Sequence, residues 1–521
     1  MRVTISRVIA TGLAIAACVA TVSVAATAGT TNGDNVDGAA GRATAPLAEV
    51  RDVTTHSLEI GGHTVRYHAT AGTLTIRDAS GLPSASMFYI AYTADTSHAE
   101  RRPLTFLFNG GPGSASLWLN IGGFGPMRAP TAEIAATGPA PYRLVPNAYS
   151  LLDRTDLVFL DAVGTGYSRA LGKSTDKDFW GVDSDVDAFA RAIVRYVTEN
   201  RRWNSPKFLY GESYGTMRAA ALVLKLADED MDFNGVILQS SILNFADLAP
   251  GIDREYVDTL PSFAAAAWYH DRIADKPADL STFLKEVRNY ARGPYAEALA
   301  LGDTISPEQK QAVARQLARY TGLSEDYLMR VNLRIDMEAF RKELLRDQHL
   351  VIGRFDSRYT GPASDMTEHS NPARDDPATA GVSSAYVATF RDYLAGELGY
   401  RSELDYRALY NMVIEPAWNW THRAPGITGP LSTPDTALDL ASAMRANPHL
   451  KVLSMNGLYD MSTPFFGTEY DLSHMFLPAN LRKNITLSYY ASGHMTYADV
   501  RALQAMKKDL TRFYDLAAPR H

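Results

Sequence analysis

A single cysteine, Cys18, is all that the 521 residues contain. The chain therefore forms no internal disulfide, no CxxC redox pair and no cysteine-built zinc site. No His-Glu-x-x-His run occurs either, which removes the helix-borne zinc site of many metalloproteases. Basic charge is in deficit, with 51 Lys and Arg against 58 Asp and Glu and a formal charge of −7. Nucleic acid is thus not an expected partner, since neutralising phosphates normally takes a basic surplus. Charged residues make up only 21% of the chain, while 46% is hydrophobic and 27 Tyr and 19 Phe are present. That is the composition of a folded globular protein, with length enough for two to three domains' worth of material. No self-similarity at a period of 20 to 50 residues is evident, which argues against a repeat array.

Arg2 and Arg7 precede an uncharged, Ala-rich run over residues 8–28, with small residues at Ser23, Ala25, Ala26 and Ala28. The layout reads as an export signal peptide over 1–28, giving a secreted or periplasmic protein. Its removal takes the two arginines with it and leaves a formal charge of −9. Two other readings stay open: a membrane anchor, which so weakly apolar a run serves poorly, and a lipoprotein signal. Ile15-Ala16-Ala17-Cys18 resembles a bacterial lipobox, in which Cys18 would be lipidated and hold the protein at the cell envelope. Residues 29–47, rich in Gly, Thr, Asn and Ala, read as a flexible linker.

From residue 57 the pattern is that of strands. Ser57-Leu58-Glu59-Ile60 and Thr64-Val65-Arg66-Tyr67 flank Gly61-Gly62, which predicts a hairpin. A further strand is predicted over 87–92. Short apolar runs at 104–108, 157–160, 208–210, 236–238, 452–455 and 485–490 read as strands buried on both faces of a mostly parallel sheet. Helical patterns at 182–197 and 216–226 lie between them, so the fold class is α/β. Between 247 and 405 the pattern turns helical without clear strands, as at Ser306-Pro307-Glu308-Gln309, a capped helix start stopped at Gly322. The expected organisation is an α/β core of 48–246 and 406–521 interrupted by a helical cap insertion, 247–405.

Chemistry concentrates in a few segments. Phe208-Leu209-Tyr210 runs into Gly211-Glu212-Ser213-Tyr214-Gly215 and then a helix former: strand, G-x-S-x-G, helix. Small residues must flank such a serine because the turn that exposes its hydroxyl is tight. A hydroxyl nucleophile needs a base, and the base an orienting acid; in α/β hydrolases these follow in the order Ser, Asp, His on loops after strands. Asp460 follows the run at 452–455, and His494 follows 485–490 through Ala491-Ser492-Gly493. Of the 12 histidines only His494 combines a late position, a preceding strand and a neighbouring Gly. Asn109-Gly110-Gly111-Pro112-Gly113 follows the strand at 104–108 and could bring a side-chain-free peptide to an oxyanion. Gly166 to Ser174 mimics a phosphate-binding loop but has the wrong spacing. Trp418 and Trp420 read as packing first and as a substrate subsite second.

Taken in order, Asn109-Gly110-Gly111-Pro112-Gly113-Ser114, Asp161-Ala162-Val163-Gly164-Thr165-Gly166-Tyr167-Ser168, Gly211-Glu212-Ser213-Tyr214-Gly215, Gly457-Leu458-Tyr459-Asp460 and Gly493-His494-Met495 resemble the serine carboxypeptidases of peptidase family S10, and the cysteine-free form resembles their bacterial branch. The resemblance implies an α/β-hydrolase fold and exopeptidase action on peptides with a free C-terminus, usually at acidic pH, without metal or organic cofactor. It implies Ser213 as nucleophile, His494 as general base and acid, Asp460 as its partner, the N–H groups of Gly111 and Tyr214 as oxyanion hole, and Asn109 with Glu212 as binders of the substrate's terminal carboxylate. The family also holds acyltransferases, and some relatives act as binding or protective proteins, so an esterase or acyltransferase and a non-catalytic partner protein stand as alternatives. One departure bears on the site: where plant and fungal members carry a second Glu before Leu-Gly-Pro, this chain has Gly122-Gly123-Phe124-Gly125-Pro126.

Overall fold

The computed structural model describes residues 44–248, 251–362 and 376–518. The expected leader, Cys18 and most of the expected linker lie outside the described residues. Among those described, no helix is long and apolar enough to cross a membrane.

A long antiparallel entry opens the main sheet: β1 (Arg51–Ile60), β2 (His63–Arg77) and β3 (Pro83–Ala94). Gly61 and Gly62 turn between β1 and β2 with φ of 58° and 81°, the left-handed pair that a two-residue hairpin needs. The second strand continues ten residues beyond its predicted end. His68-Ala69-Thr70-Ala71-Gly72 carries mostly small residues that pair with residues 89–93 of β3, a signal too weakly alternating to read alone.

The sheet continues through β4 (Leu104–Phe108), β5 (Asp156–Leu160), β6 (Lys207–Glu212), β7 (Gly235–Gln239), β8 (Lys451–Gly457) and β9 (Ile485–Tyr490), while the two-residue strand Arg169–Ala170 pairs with β3 off this path. Their spatial order is β1-β2-β3-β5-β4-β6-β7-β8-β9. From β5 onward every pairing is parallel. This is the mixed, mostly parallel sheet of an α/β hydrolase.

Alternate residues of the central strands feed two cores. Phe106, Phe108, Val158, Leu209 and Val236 pack under helices Val182–Glu199, Tyr214–Ala227 and Ala437–Ala446. Leu107, Phe159, Tyr210, Ile237 and Met455 face the other way, against Val500–Ala517 and Pro377–Gly396. Continuous apolar runs are the consequence of that double burial. Strand β9 is the exception: it lies at the sheet edge, and only Tyr490 of it is buried.

Packing within 247–405 is divided. Helices Arg254–Tyr269, Leu280–Tyr290, Pro307–Thr321 and Met337–Glu343 gather their own core around Phe263, Leu317 and Phe340. That core includes Tyr459, Met461 and Phe465, so it rests on the loop that carries Asp460. The capping box at Ser306 and Gln309 forms, and Gly322 closes the helix at a φ of 70°. By contrast, Val382, Tyr386 and Phe390 of Pro377–Gly396 join the sheet's second core and not the insertion's. The stretch also contains strands where none was clear, a hairpin of Leu350–Ile352 with Thr360–Pro362.

One buried cation ties three of these elements together. Arg218, in the helix after Ser213, donates through Nε to Asp185 at 2.6 Å and through a terminal nitrogen to the Asn109 carbonyl at 2.8 Å. Its guanidinium also sits 4.3 Å from the Phe189 ring centre. Removing one partner of such a pair strands a charge in a dry core. Arg218→Met should therefore lower the unfolding free energy by about 3–5 kcal/mol in urea denaturation, and adding Asp185→Leu should restore part of it. A single variant within about 1 kcal/mol of wild type would show that the pair does not hold the two helices together.

Candidate active site

Strand β6 ends at Glu212, and the next residue turns sharply into the helix Tyr214–Ala227. Ser213 adopts φ 60° and ψ −133°, a strained backbone that non-glycine residues rarely hold. Its N–H is anchored on the Gln239 carbonyl at 3.0 Å. The strain is kept because the neighbours leave no room for relaxation. A Cβ on Gly211 would stand 2.0 Å from the Gly215 carbonyl oxygen, and one on Gly215 would stand 2.8 Å from that of Phe108.

Ser213 and His494 line one cavity of about 380 Å³, together with Asn109, Gly110, Gly111, Glu212 and Met495. Behind them Asp460, fully buried, meets His494 Nδ1 at 2.8 Å through Oδ2. Its Oδ1 accepts the N–H groups of Ser462 and Thr463 at 2.8 and 3.0 Å, and the Thr463 hydroxyl donates to Oδ2 at 2.7 Å. A carboxylate so held fixes the Nδ1–H tautomer and leaves Nε2 as the free base. Burial pushes the His494 imidazole down, but the charge and hydrogen bond of Asp460, helped by Glu212, outweigh it and hold it above its ordinary value. The main chain of His494 is fixed as well, its N–H on the Phe355 carbonyl at 2.6 Å and its carbonyl taking the Ser240 hydroxyl at 2.7 Å.

The loop after β4 closes on the elbow. A Cβ on Gly110 would lie 2.5 Å from the amide nitrogens of both Tyr214 and Gly215, so this backbone approach requires glycine. Gly111 follows in the left-handed region at φ 109°. The Gly111 and Tyr214 peptides thus belong to two segments in direct contact, one of them the first turn of a helix, where N–H groups are free to bind an anion.

Asn109 and Glu212 come together directly, with Asn109 Nδ2 donating to Glu212 Oε2 at 2.8 Å. The other side of the carboxyl is taken by a residue that the sequence did not single out. The Tyr497 phenol donates to Glu212 Oε2 at 2.9 Å and reaches Oε1 at 3.2 Å. Its ring lies over the segment that lacks the second Glu: a Cβ on Gly122 would stand 2.8 Å from Tyr497 Cε2 and 2.7 Å from Tyr386 Cε2, whereas one on Gly123, just before Phe124-Gly125-Pro126, would meet Tyr497 at an ordinary 3.5 Å. Burial raises Glu212 most. The His494 charge and the bonds from Tyr497 and Asn109 pull it back, and Asp460 adds to the rise, leaving it at about 7.

Other sequence candidates have structural parts. Trp418 and Trp420 pack edge-on against the Tyr214 ring at 5.3 and 6.1 Å and do not line the cavity. Asp161 accepts the Ser116 N–H at 2.7 Å, and a Cβ on Gly166 would collide with its carboxyl. Among the described residues, no group of three or more His, Cys, Asp or Glu is arranged to hold a metal ion.

Two outcomes test the electrostatics without any substrate. The Glu212 carboxyl, raised from an ordinary 4.5 to about 7, adds stability that is complete below 4.5 and is lost as pH rises through 7. Glu212→Gln should flatten that loss in pH-dependent thermal unfolding. In an infrared titration, the protonated-carboxyl band assigned by the same variant should persist to higher pH in Tyr497→Phe, by on the order of one unit, because a donor to the ionised form is gone. A midpoint unchanged or lower in Tyr497→Phe would contradict this assignment of the hydrogen bond.

Comparison with known proteins gives three kinds of match. The family model described as serine carboxypeptidase matches residues 62–371, more than half of the chain. A curated protein, serine carboxypeptidase-like 26 of Oryza sativa subsp. japonica, is 28% identical over 199 residues, which are 37% of this chain and 38% of that protein's length. The chain thus matches well under half of this relative. Among solved structures, proline iminopeptidase of Mycobacterium smegmatis aligns with 14% identity and a TM-score of 0.38, covering 86% of this chain and 98% of that one. A soluble variant of monoglyceride lipase from Saccharomyces cerevisiae aligns with 11% identity and a TM-score of 0.35, covering 86% and 95%. On the extent of the family match, the chain belongs to the serine carboxypeptidase family.

Proposed function

We propose that the protein is an exported serine carboxypeptidase that removes the C-terminal residue of peptides through an acyl-enzyme on Ser213 and works best at acidic pH. The observation that carries this reading is the buried Glu212 carboxyl, held by Asn109 and Tyr497, raised to about 7 and lining the same cavity as the nucleophile. A carboxyl can receive the substrate's terminal carboxylate only while one of the two keeps a proton, since like charges in contact cannot both stay ionised. Below neutrality Glu212 holds that proton and donates it, and Asn109 supplies a second donor.

In the reaction so proposed, His494 Nε2 takes the Ser213 proton as Oγ bonds to the carbonyl carbon, and the N–H groups of Gly111 and Tyr214 take the developing oxyanion. The C–N bond then breaks as His494 returns the proton to the leaving amine. Water, activated by the same imidazole, releases the shortened peptide and frees Ser213. Asp460 stabilises the imidazolium at each transfer. The basic start and uncharged run of residues 1–28 support export.

Ser213→Ala should lower kcat by at least about 10⁴-fold while leaving the circular dichroism spectrum unchanged. Glu212→Gln keeps a donor in place at every pH, so it should flatten the fall of kcat/KM toward neutrality. An equally steep fall in that variant would assign the pH dependence to another group and count against the shared proton.

A further inference from the structure

The cavity holds a cation that the proposed steps leave unused. Arg354 lines it together with Ser213 and His494, and also lines a smaller neighbouring cavity of about 100 Å³, sharing both with Ser462. Its backbone is pinned next to the catalytic acid, because its N–H donates to the Asp376 carboxylate and its carbonyl accepts the Met461 N–H at 3.1 Å. The side chain is not matched in the same way. Arg354 Nε is buried without a hydrogen-bond partner, and among the described residues the guanidinium forms no ion pair. The nearest aromatic face is Phe355, 5.8 Å away, whose ring lies 5.1 Å from that of His494.

Among the described residues Arg128, Arg154, Arg218, Arg272 and Arg354 each keep a buried nitrogen without a hydrogen-bond partner, and of these only Arg354 lines the cavity of Ser213. The cost of leaving that N–H unpaired disappears when a carboxylate approaches, and the planar fork of the guanidinium fits a carboxylate through two bonds at once. A peptide substrate brings one obligatory carboxylate, at its terminus, and any others are Asp or Glu side chains. The terminus already has its binders in Asn109 and Glu212, which line the first cavity with Arg354. Of the three, only Arg354 also lines the second cavity, with Ser462, and its carbonyl takes the Met461 N–H next to Asp460.

We propose that Arg354 is a specificity-determining residue that pairs with an acidic side chain on the penultimate residue of the substrate, the one whose carbonyl Ser213 attacks. This rests on the carboxypeptidase reading, with Glu212 and Asn109 holding the terminus. Carboxyls nearby set the conditions. Glu415 in the first cavity and Asp247, Glu255, Asp258 and Asp471 in the second are all pushed above the ordinary range by burial, Asp258 to about 7. Each of these takes up a proton at a higher pH than a free carboxyl does, which lessens their competition for the guanidinium.

The test uses the full protein and free-acid peptides identical except for Glu, Gln or Lys at the penultimate position, assayed near pH 6, where a substrate Glu is still ionised. Wild type should favour Glu over Gln in kcat/KM by about tenfold or more, Arg354→Lys should keep part of that ratio, and Arg354→Gln should bring it close to one. Using the ratio cancels the effect of the lost charge on His494. A wild type that cleaves the Gln peptide as well as the Glu peptide, or prefers Lys, would overturn the proposal without any variant. So would an undiminished ratio in Arg354→Gln. Shortening of none of the peptides would overturn the carboxypeptidase reading itself, and this proposal with it.

Discussion

Direct backbone contact between the loop after Leu104–Phe108 and the turn at Ser213 is the constraint on which the rest of the site depends. Three positions tolerate no Cβ: Gly110 and Gly215 would each place one within 2.8 Å of main-chain atoms of the facing segment, and Gly211 would place one 2.0 Å from the Gly215 carbonyl oxygen across its own turn. Closing that gap puts the Gly111 and Tyr214 peptides together, brings Asn109 within 2.8 Å of Glu212, and holds Ser213 in a conformation it would otherwise leave. Behind the contact, Arg218 reaches the Asn109 carbonyl from the helix that Ser213 begins. The strain at the serine is thus balanced by packing and by a buried charge on the same two segments.

Proton placement follows from the same burial. Asp460, held by two backbone N–H groups and a hydroxyl, stays a fixed acceptor, and the imidazole beside it is raised. Glu212 is raised as well, yet its hydrogen-bond partners differ in kind: an amide and a phenol, both donors here. Among the described residues no carboxyl lies within hydrogen-bonding reach of Glu212 to share its proton, and in the proposed reaction the substrate's own carboxylate takes that part. His494 and Glu212 influence each other, so protonating one lowers the affinity of the other for its proton.

Much of this was legible in the sequence, and for physical reasons. Strands buried on both faces are continuously apolar, so β4 to β8 stand out. The edge position of Ile485–Tyr490 does not, since its partner on only one side leaves no local mark. The glycines at 110, 211 and 215 are visible because a close backbone approach admits no other residue. Tyr497 was not visible: a tyrosine three places after a histidine carries no signal until folding sets it over Gly122. Arg354 was hidden for a related reason, as one arginine among many whose significance lies in the partner it lacks. Pro377–Gly396 reads as part of the helical insertion by order along the chain, but it packs with the sheet, because its apolar stripe matches the face that carries Phe159 and Tyr210.

The central claim is that this cavity reads a free terminal carboxylate before Ser213 acts. The most direct measurement is mass spectrometry of a peptide incubated with the protein at acidic pH, once with a free C-terminal acid and once with the same terminus as an amide. The account predicts stepwise loss of single residues from the acid end and strongly slowed loss from the amide. Cleavage at internal bonds, or equal shortening of the two peptides, would contradict it.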